Sequence, residues 1–153
     1  MPDEAFDQDA WLTRIGYDGP RAPTLETLQA LIAAHSRAIA YESIDVLLDR
    51  PPKLDLASLQ GKMIAGQRGG YCFEQNILFR AGLRSLGYEV TSLQARVVRG
   101  LEIDAPRPML HIVLCVPPFR CRNAIATRSI TSTSRPVSSR KTPAWESDAR
   151  GIW

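Results

Sequence analysis

The sequence predicts an α+β fold in which a helical bundle precedes the first strands of a sheet. Apolar residues recur at helical spacing through residues 1–87. The period then changes to two in residues 89–98, as in a half-buried strand. An uninterrupted apolar run at 111–116 predicts a second strand, fully buried. These three observations favour helices first and the beginning of a sheet afterwards.

Four helices are expected in the first part of the chain. Three of them follow a residue whose side chain can accept a hydrogen bond from a free N–H group, namely Asp7 or Asp9, Thr24 and Asp55. Glycines at the far ends favour termination. The predicted spans are 7–16, Thr24 to near His35, Asp55 to Gly66, and Cys72 to Leu86. Residues 38–48 show no clear period and are expected to be extended or irregular.

The strands define a second region of the chain, residues 88–116. Leu93, Ala95 and Val97 alternate with polar side chains, which predicts one sheet face turned towards a core. Two prolines interrupt the connection to the second strand. The expected organisation is therefore a helical region over 1–87 and the start of a sheet domain over 88–116.

The composition changes after Val116. Residues 117–153 contain ten Ser or Thr and four Pro, without a periodic apolar stripe, and this composition favours a disordered tail or a segment translated out of frame. Residues 1–116 carry 12 Lys or Arg and 14 Asp or Glu, whereas 117–153 carry 7 and 2, so the excess positive charge lies in the tail. Those arginines are scattered among Ser and Thr, so no nucleic-acid-binding face is expected.

The sequence also predicts a cytoplasmic location. The first residues are acidic and lack the apolar segment of a signal peptide. The apolar run at 111–116 is too short to span a membrane. Three cysteines at unpaired spacing argue against a disulfide framework.

A glycine turn followed by a cysteine is the chemically most informative feature. Gly69 and Gly70 permit a tight turn and leave room for a substrate, and Cys72 follows at the start of a predicted helix. The free N–H groups and dipole of a helix start favour a thiolate, and Arg68 adds positive charge nearby. Cys72 is thus a candidate nucleophile. The alternative is an inert buried cysteine, which is what most cysteines are.

The segment from Arg68 to Asn76 resembles the arylamine N-acetyltransferase signature Arg-Gly-Gly-x-Cys-x-Glu-x-Asn. All six fixed positions match, as Arg68, Gly69, Gly70, Cys72, Glu74 and Asn76. Residues 38–45 resemble the family's Ile-Pro-Phe-Glu-Asn-Leu-Asp stretch, with Ala40, Tyr41 and Ser43 as departures. Residues 110–114 resemble the stretch that carries the family's catalytic histidine. The resemblance covers roughly residues 8–116 and implies that residues 88–116 are the first strands of a β-barrel, in a cysteine-protease-like core with the cysteine on a helix and the histidine on a strand.

The resemblance implies a ping-pong acetyl transfer. Cys72 would take the acetyl group from acetyl-CoA, a co-substrate, and pass it to an aromatic amine or hydrazine, with His111 moving the proton. No bound cofactor or metal and no membrane partner is implied. Ion pairs of Arg68 would hold the cysteine loop, and Glu42 and Glu74 are further candidates for such pairs. Without the resemblance, His111 would be interpreted as a satisfied core histidine.

The family's third catalytic residue, an aspartate about fifteen positions after the histidine, has no counterpart at 125–128. Asp104 and Asp148 are the remaining candidates, and neither lies in a fitting pattern. One alternative is therefore a catalytically inactive, truncated fragment of such an enzyme. Another is a transglutaminase-like or papain-like enzyme, which shares the order of cysteine on a helix and histidine on a strand. A metal site at His111, Cys115 and Cys121 matches no common zinc spacing.

Overall fold

The computed structural model describes residues 6–96 and 110–118. Within them, helices come first and a two-stranded antiparallel sheet follows, as the sequence predicts. The elements are α1 (Gln8–Ile15), α2 (Leu25–Ala38), α3 (Ile44–Leu47), α4 (Leu56–Leu59), α5 (Cys72–Ser85), β1 (Thr91–Ala95) and β2 (His111–Cys115). A π-helical segment, Gln60–Ala65, continues α4 without a break.

Side-chain caps begin three of the helices at the residues expected from the sequence. In each, a side-chain oxygen accepts from a backbone N–H three residues later, which satisfies one of the unpaired donors of the first turn. The three bonds join Asp7 to Ala10 at 2.9 Å, Thr24 to Thr27 at 3.2 Å and Asp55 to Ser58 at 2.8 Å. Gly16 and Gly87 follow α1 and α5 in the left-handed conformation, with φ of +63° and +89°. The capping chemistry is therefore sufficient to locate these helices.

Three features of the helices differ from the prediction. α2 continues past His35 to Ala38, and residues 44–47 form a helical turn where extended or irregular chain was expected. The third helix widens into the π-helical segment, where the Gly66 N–H donates to the Gly61 carbonyl at 2.9 Å. The apolar period alone cannot show these features, because each spans only one or two turns.

The core forms around Trp11, which has no exposed surface. Its indole ring lies over Gly82 of α5, where an added Cβ would come within 2.7 Å of three ring atoms. Gly82 is buried, whereas its neighbour Ala81 is only half-buried. A glycine inside a helix is unfavourable by about 1 kcal/mol relative to alanine. Here the missing side chain makes room for the largest ring of the core.

The sheet packs on α5 through one face only. Ile112 and Val116 are buried, and Leu114 packs against the core beside them. Ser92 of β1 lies on the same face, where it accepts a hydrogen bond of 2.7 Å from Arg80 of α5. β2 therefore docks on the helical region through alternate residues.

The opposite face of the sheet is only partly covered by the described residues. Val113 lies opposite Leu93 in the antiparallel register, and both are half-buried. The expectation that residues 111–116 form a fully buried strand is wrong, because the described helices cover only one of its faces. Ala95, opposite His111, lies on the same outer face and is buried, but the face of Leu93 and Ala95 was expected to turn towards the core, and it is the face of Ser92 that docks on α5. A closed barrel stays a prediction.

Several predictions fall on residues outside the described ranges. These are the tail over 117–153 beyond Pro118, the continuation of the first strand to Val98, and the positions of Asp104, Cys121 and Asp148. No helix in the described part of the chain is long and apolar enough to cross a membrane.

Candidate active site

Cys72 is the first residue of α5 and is 7% exposed. The glycine turn before it packs against residues 40–42. A Cβ on Gly69 would overlap the Ala40 carbonyl oxygen, and a Cβ on Gly70 would lie 2.9 Å from the Glu74 side chain. Gly69 and Gly70 are therefore required for close packing of the cysteine loop. Neither glycine has a positive φ, so these close contacts, and not a left-handed backbone, account for the two glycines. Room for a substrate stays a prediction.

Two backbone hydrogen bonds fasten the glycine turn to the segment that follows α2. The Gly70 N–H donates to the Ala40 carbonyl at 3.2 Å, and the Glu42 N–H donates to the Gly70 carbonyl at 3.1 Å. Gly70 and Tyr41 thereby form an isolated parallel bridge. The stretch around Glu42 and the signature motif, about 30 residues apart in sequence, are thus a single structural unit.

The thiol of Cys72 lies against the beginning of β2. Its Sγ is 3.8 Å from the Leu110 carbonyl oxygen, to which it donates. Burial raises the pKa of Cys72, and the N–H groups of Phe73 and Ile112 together with the Tyr41 hydroxyl offset this effect only in part. The described residues alone therefore do not lower the pKa of this thiol, and an activated Cys72 stays a prediction. Activation then requires a base or a bound substrate.

His111 is the first residue of β2, between the two residues whose backbone contacts the thiol. It is half-buried and lines a groove of about 570 Å³ between α2, α5 and β2, together with Tyr41 and Asn76. Among residues 6–96 and 110–118, the His111 side chain has no hydrogen-bond or ion-pair partner. The fold thus brings His111 to the same end of α5 as Cys72, and supplies no acid for its imidazole from this part of the chain.

Beside the loop lies a cluster of five charged residues, Glu42, Asp45, Lys62, Arg68 and Glu74, called the charge cluster below. Arg68 contacts Glu42 at 2.9 Å and Asp45 at 3.0 Å. Lys62 contacts Asp45 at 2.7 Å, Glu74 at 2.9 Å and Glu42 at 3.7 Å. The Glu74 side chain is 2% exposed and also accepts from the Tyr71 N–H at 3.1 Å. These contacts link the π-helical segment, residues 42–45 at the start of α3, the cysteine loop and the start of α5.

The pKa values of the cluster follow from its pairing. Hydrogen bonds from Lys62 and Arg68 lower the pKa of Asp45. Partial burial opposes the same effect at Glu42, but the Ile44 N–H, Lys62 and Arg68 outweigh it, and the pKa of Glu42 is lowered. Desolvation likewise opposes the shift at Lys62, whose bonds to Asp45 and Glu74 raise its pKa. All three groups are thus held in their charged forms.

Sequence reasoning included Arg68, Glu42 and Glu74 but missed Lys62 and Asp45 as cluster members. Asp45 ends the stretch 38–45 that resembles the family and could have been included on that ground. Lys62 lies in a helix whose local pattern gives no sign of its partners.

Asn76, the last fixed position of the motif, donates to the Cys72 carbonyl at 2.8 Å and so braces the first turn of α5.

The possible metal site at His111, Cys115 and Cys121 finds no support. His111 and Cys115 are the two ends of β2, so their Cα atoms are about 13 Å apart at the usual strand rise. In the described part of the chain, no group of three or more His, Cys, Asp or Glu side chains could hold a metal ion.

Comparison with known proteins identifies the class of the molecule. The family model described as N-acetyltransferase matches residues 24–118, which include the glycine turn, Cys72 and the whole of β2. An arylamine N-acetyltransferase of Mycolicibacterium smegmatis is 46% identical over 114 residues, which is 73% of this chain and 42% of that protein. The corresponding enzyme of Salmonella typhimurium is 42% identical over 107 residues, 70% of this chain and 38% of that protein.

Solved structures agree. The arylamine N-acetyltransferase of Nocardia farcinica is 45% identical with a TM-score of 0.70, over 75% of this chain and 40% of that one. The Mycobacterium marinum arylamine N-acetyltransferase in complex with CoA is 43% identical with a TM-score of 0.67, over 72% of this chain and 41% of that one. The chain belongs to the arylamine N-acetyltransferase family, which confirms the resemblance seen in the sequence. It spans about two fifths of the length of the curated relatives it matches.

Proposed function

We propose that the protein transfers an acetyl group from acetyl-CoA to aromatic amines or hydrazines, with Cys72 as the acetyl carrier. The observation that carries the proposal is the position of Cys72. The thiol lies at the start of α5, behind a glycine turn that only glycines fit, and against the residues on either side of His111. The relatives named as arylamine N-acetyltransferases and the related structure in complex with CoA support this choice of reaction and donor.

In the first half of the reaction, the Cys72 sulfur attacks the thioester carbon of acetyl-CoA. A new S–C bond forms as the bond to the CoA sulfur breaks, and CoA leaves as the free thiol with the proton that His111 took from Cys72. In the second half, the amine nitrogen attacks acetyl-Cys72. Its proton passes through His111 to the departing Cys72 sulfur. Both half-reactions balance without a metal or a bound cofactor, so acetyl-CoA enters only as a co-substrate.

The remaining motif residues have supporting roles in this proposal. Gly69 and Gly70 permit the close packing that holds the loop, and Asn76 braces the turn that contains Cys72. Arg68, Glu42 and Glu74 act with Lys62 and Asp45 in the charge cluster, which fixes the loop from its other side. The third triad residue stays unassigned, because no acid of the described residues contacts His111.

The proposal extends to architecture. Residues 1–87 are the helical region that carries the cysteine, and 88–116 begin a β-barrel that carries the histidine, in a core of the cysteine-protease type. The docking of β2 on α5 through Ile112, with His111 at its start, supports this arrangement. The cytoplasm remains the expected location.

Two observations favour a second candidate, a family member that does not turn over by itself. The outer face of the sheet, with Leu93 and Val113, is only half-buried, and the His111 imidazole has no partner within the described ranges. A cleft with an incomplete wall admits water and leaves the base unoriented. Family membership and the catalytic power of this chain are therefore tested separately.

The first test is formation of the acetyl-enzyme. The full chain is incubated with acetyl-CoA and analysed by mass spectrometry after trypsin digestion, which releases residues 69–80 as one peptide. We expect one acetyl group on that peptide, its loss on addition of aniline, and no acetyl group there in the Cys72→Ala variant. A Cys115→Ala variant serves as the matched control and keeps the label. Labelling of Cys115 in place of Cys72 would overturn the proposal.

A further inference from the structure

Three side chains from three helices form a hydrogen-bonded chain that ends at the cysteine loop. Trp11 of α1 donates from its indole nitrogen to Nδ1 of His35 on α2 at 3.2 Å. Nε2 of His35 lies 2.9 Å from the Oε1 atom of Gln75 on α5. Trp11 and His35 are both buried, with exposed fractions of 0% and 6%. This set is called the Trp11–His35–Gln75 chain below.

The direction of each hydrogen bond in the chain follows from its first donor. An indole N–H can only donate, so Nδ1 of His35 must be the unprotonated, accepting nitrogen. The proton of the neutral ring is then on Nε2, which donates to Oε1 of Gln75. That bond in turn fixes which end of the Gln75 amide faces the cysteine loop. Trp11, two side chains away, therefore favours one orientation of this amide.

The amide nitrogen of Gln75 faces three backbone carbonyls at the junction between α2 and the cysteine loop. It donates to Ala40 at 2.9 Å, to Ile39 at 3.2 Å and to Gly70 at 3.3 Å. Ile39 and Ala40 follow α2, and Gly70 comes two residues before Cys72. One side chain thus joins the end of α2 to the turn that leads into the nucleophile.

We propose that Gln75 is a positioning residue for Cys72, and that His35 and Trp11 act through it by fixing the orientation of its amide. The loop held in this way keeps the Cys72 sulfur beside the N–H groups of Phe73 and Ile112, which stabilise the thiolate. The inference rests on the proposed function only in treating Cys72 as the group that must become a thiolate. None of the three residues needs to touch a substrate.

The test is the pH profile of Cys72 alkylation in the full chain. Iodoacetamide labelling is followed on the tryptic peptide 69–80, which contains Cys72 as its one cysteine. The variant is Gln75→Met, which keeps the length and neutrality of the side chain but removes its donors. A loosened loop should cost the Cys72 thiolate one of its hydrogen bonds from the Phe73 and Ile112 N–H groups. Loss of one hydrogen bond to a charged group corresponds to about one pH unit, so we expect the midpoint of alkylation to rise by that amount. The exposed Gln29→Met on α2 is the matched control and should coincide with the parent.

A pair of substitutions at His35 separates positioning from packing. This pair tests the proposal even if Gln75→Met partly unfolds the chain, which a lower helical circular-dichroism signal would show. His35→Gln keeps a donor at the level of Nε2, so the Gln75 amide keeps its orientation and the profile stays near the parent's. His35→Leu removes that donor, so the amide loses the bond that fixes its oxygen end, and the midpoint should rise in the direction of that of Gln75→Met. Equal profiles for His35→Gln and His35→Leu would show that His35 only fills space and would overturn the proposal.

Alkylation requires no acetyl donor, so this readout is independent of acetyl transfer. A raised midpoint in Gln75→Met, in a chain that forms no acetyl-Cys72, would leave the positioning role standing and contradict the proposed function. An unchanged midpoint in Gln75→Met, in a chain that does form acetyl-Cys72, would contradict the positioning role and leave the proposed function standing.

Discussion

At Lys62, a single ammonium group lies within 4 Å of three carboxylates, and one of them, Glu74, is almost completely buried. A buried charge that loses its partner is strongly destabilising, whereas an exposed pair contributes little. Arg68 is far more exposed than Lys62, with 43% of its side chain accessible against 15%. Although Arg68 belongs to the signature motif, Lys62 is the residue that compensates the buried carboxylate.

We therefore expect Lys62→Met to lower the free energy of unfolding by about 2–4 kcal/mol, because Glu74 would remain buried without its cation. Urea denaturation followed by circular dichroism measures the change. Lys53→Met, which removes an exposed lysine before α4, is the matched control and should stay within about 0.5 kcal/mol of the parent. Equal effects of the two substitutions would contradict the assignment.

His35 gives a prediction about pH. Burial lowers the pKa of His35 from 6.5 to about 4; the hydrogen bond to Gln75 opposes this shift, and the charge of Arg14 adds to it. The unfolded chain takes up a proton as the pH falls below about 6.5, while the folded chain resists it until about 4, so stability falls with pH across this window. From pH 7 to pH 5 the loss should be about 2 kcal/mol.

Urea denaturation at the two pH values tests this dependence. In His35→Gln the group that titrates is absent, so we expect the difference between pH 7 and pH 5 to shrink to a small fraction of the parent's. A variant with the parent's full pH dependence would assign the effect to other groups. Asp45 and Glu42 should contribute little between pH 7 and pH 5, since their pKa values are lowered and they lose their stabilising ionised forms mainly below pH 5.

At the scale of elements, the sequence predicts those helix and strand ends that depend on only a few neighbouring residues. The caps at Asp7, Thr24 and Asp55 are local hydrogen bonds, and the glycines at 16 and 87 end helices through their own backbone conformation. The start of α5 at Cys72 and of β2 at His111 were likewise predicted where the structure has them.

What the sequence did not reveal depends on partners distant in the chain. Lys62 meets Glu74 across 12 residues and Asp45 across 17, and no periodic pattern connects them. The same holds for Gln75 and His35, which are 40 residues apart. The half-buried outer face of the sheet was missed for a different reason. An apolar strand shows that both faces can be buried, but not which part of the chain covers them.

Gly82 provides a test at this scale, with Gly61 as its matched control. Alanine at either position improves helix propensity, by up to about 1 kcal/mol. At Gly61 an added Cβ meets nothing within 4 Å, whereas at Gly82 it meets the Trp11 ring at 2.7 Å. We expect Gly61→Ala to be neutral or stabilising and Gly82→Ala to lower the free energy of unfolding by about 1–3 kcal/mol. Thermal or urea denaturation would contradict this account if both changes had the same sign.

For the whole molecule, exposed apolar surface accompanies the incomplete cover of the sheet. Large apolar side chains around α3 and at the start of β2 are more than one-third exposed; they include Tyr41, Ile44, Val46, Leu47, Leu48, Leu54 and Leu110. Two of them contact the cysteine loop, since Tyr41 pairs with Gly70 and the Leu110 carbonyl accepts from Cys72. An apolar surface of this kind favours binding to another surface or self-association over a formed cleft. The proposed cleft is thus bordered by a sheet face that the described residues cover only in part.

We therefore expect this chain to acetylate arylamines weakly or not at all, at least roughly 10³-fold below the Mycolicibacterium smegmatis relative. In a serine triad, loss of the aspartate lowers kcat by about 10⁴, and the Cys–His pair should suffer less because a thiol ionises more readily. The measurement is CoA release from acetyl-CoA in the presence of aniline, with Cys72→Ala as the blank. A chimera that joins residues 1–116 to the remainder of that relative supplies an acid for His111, where the described residues have none, and a cover for Leu93 and Val113, and it should recover most of the rate. Full turnover by the present chain, abolished by Cys72→Ala, would mean that an acid outside the described residues, such as Asp104 or Asp148, already completes the site. A folded but silent chimera would instead contradict the acetyl-carrier role of Cys72.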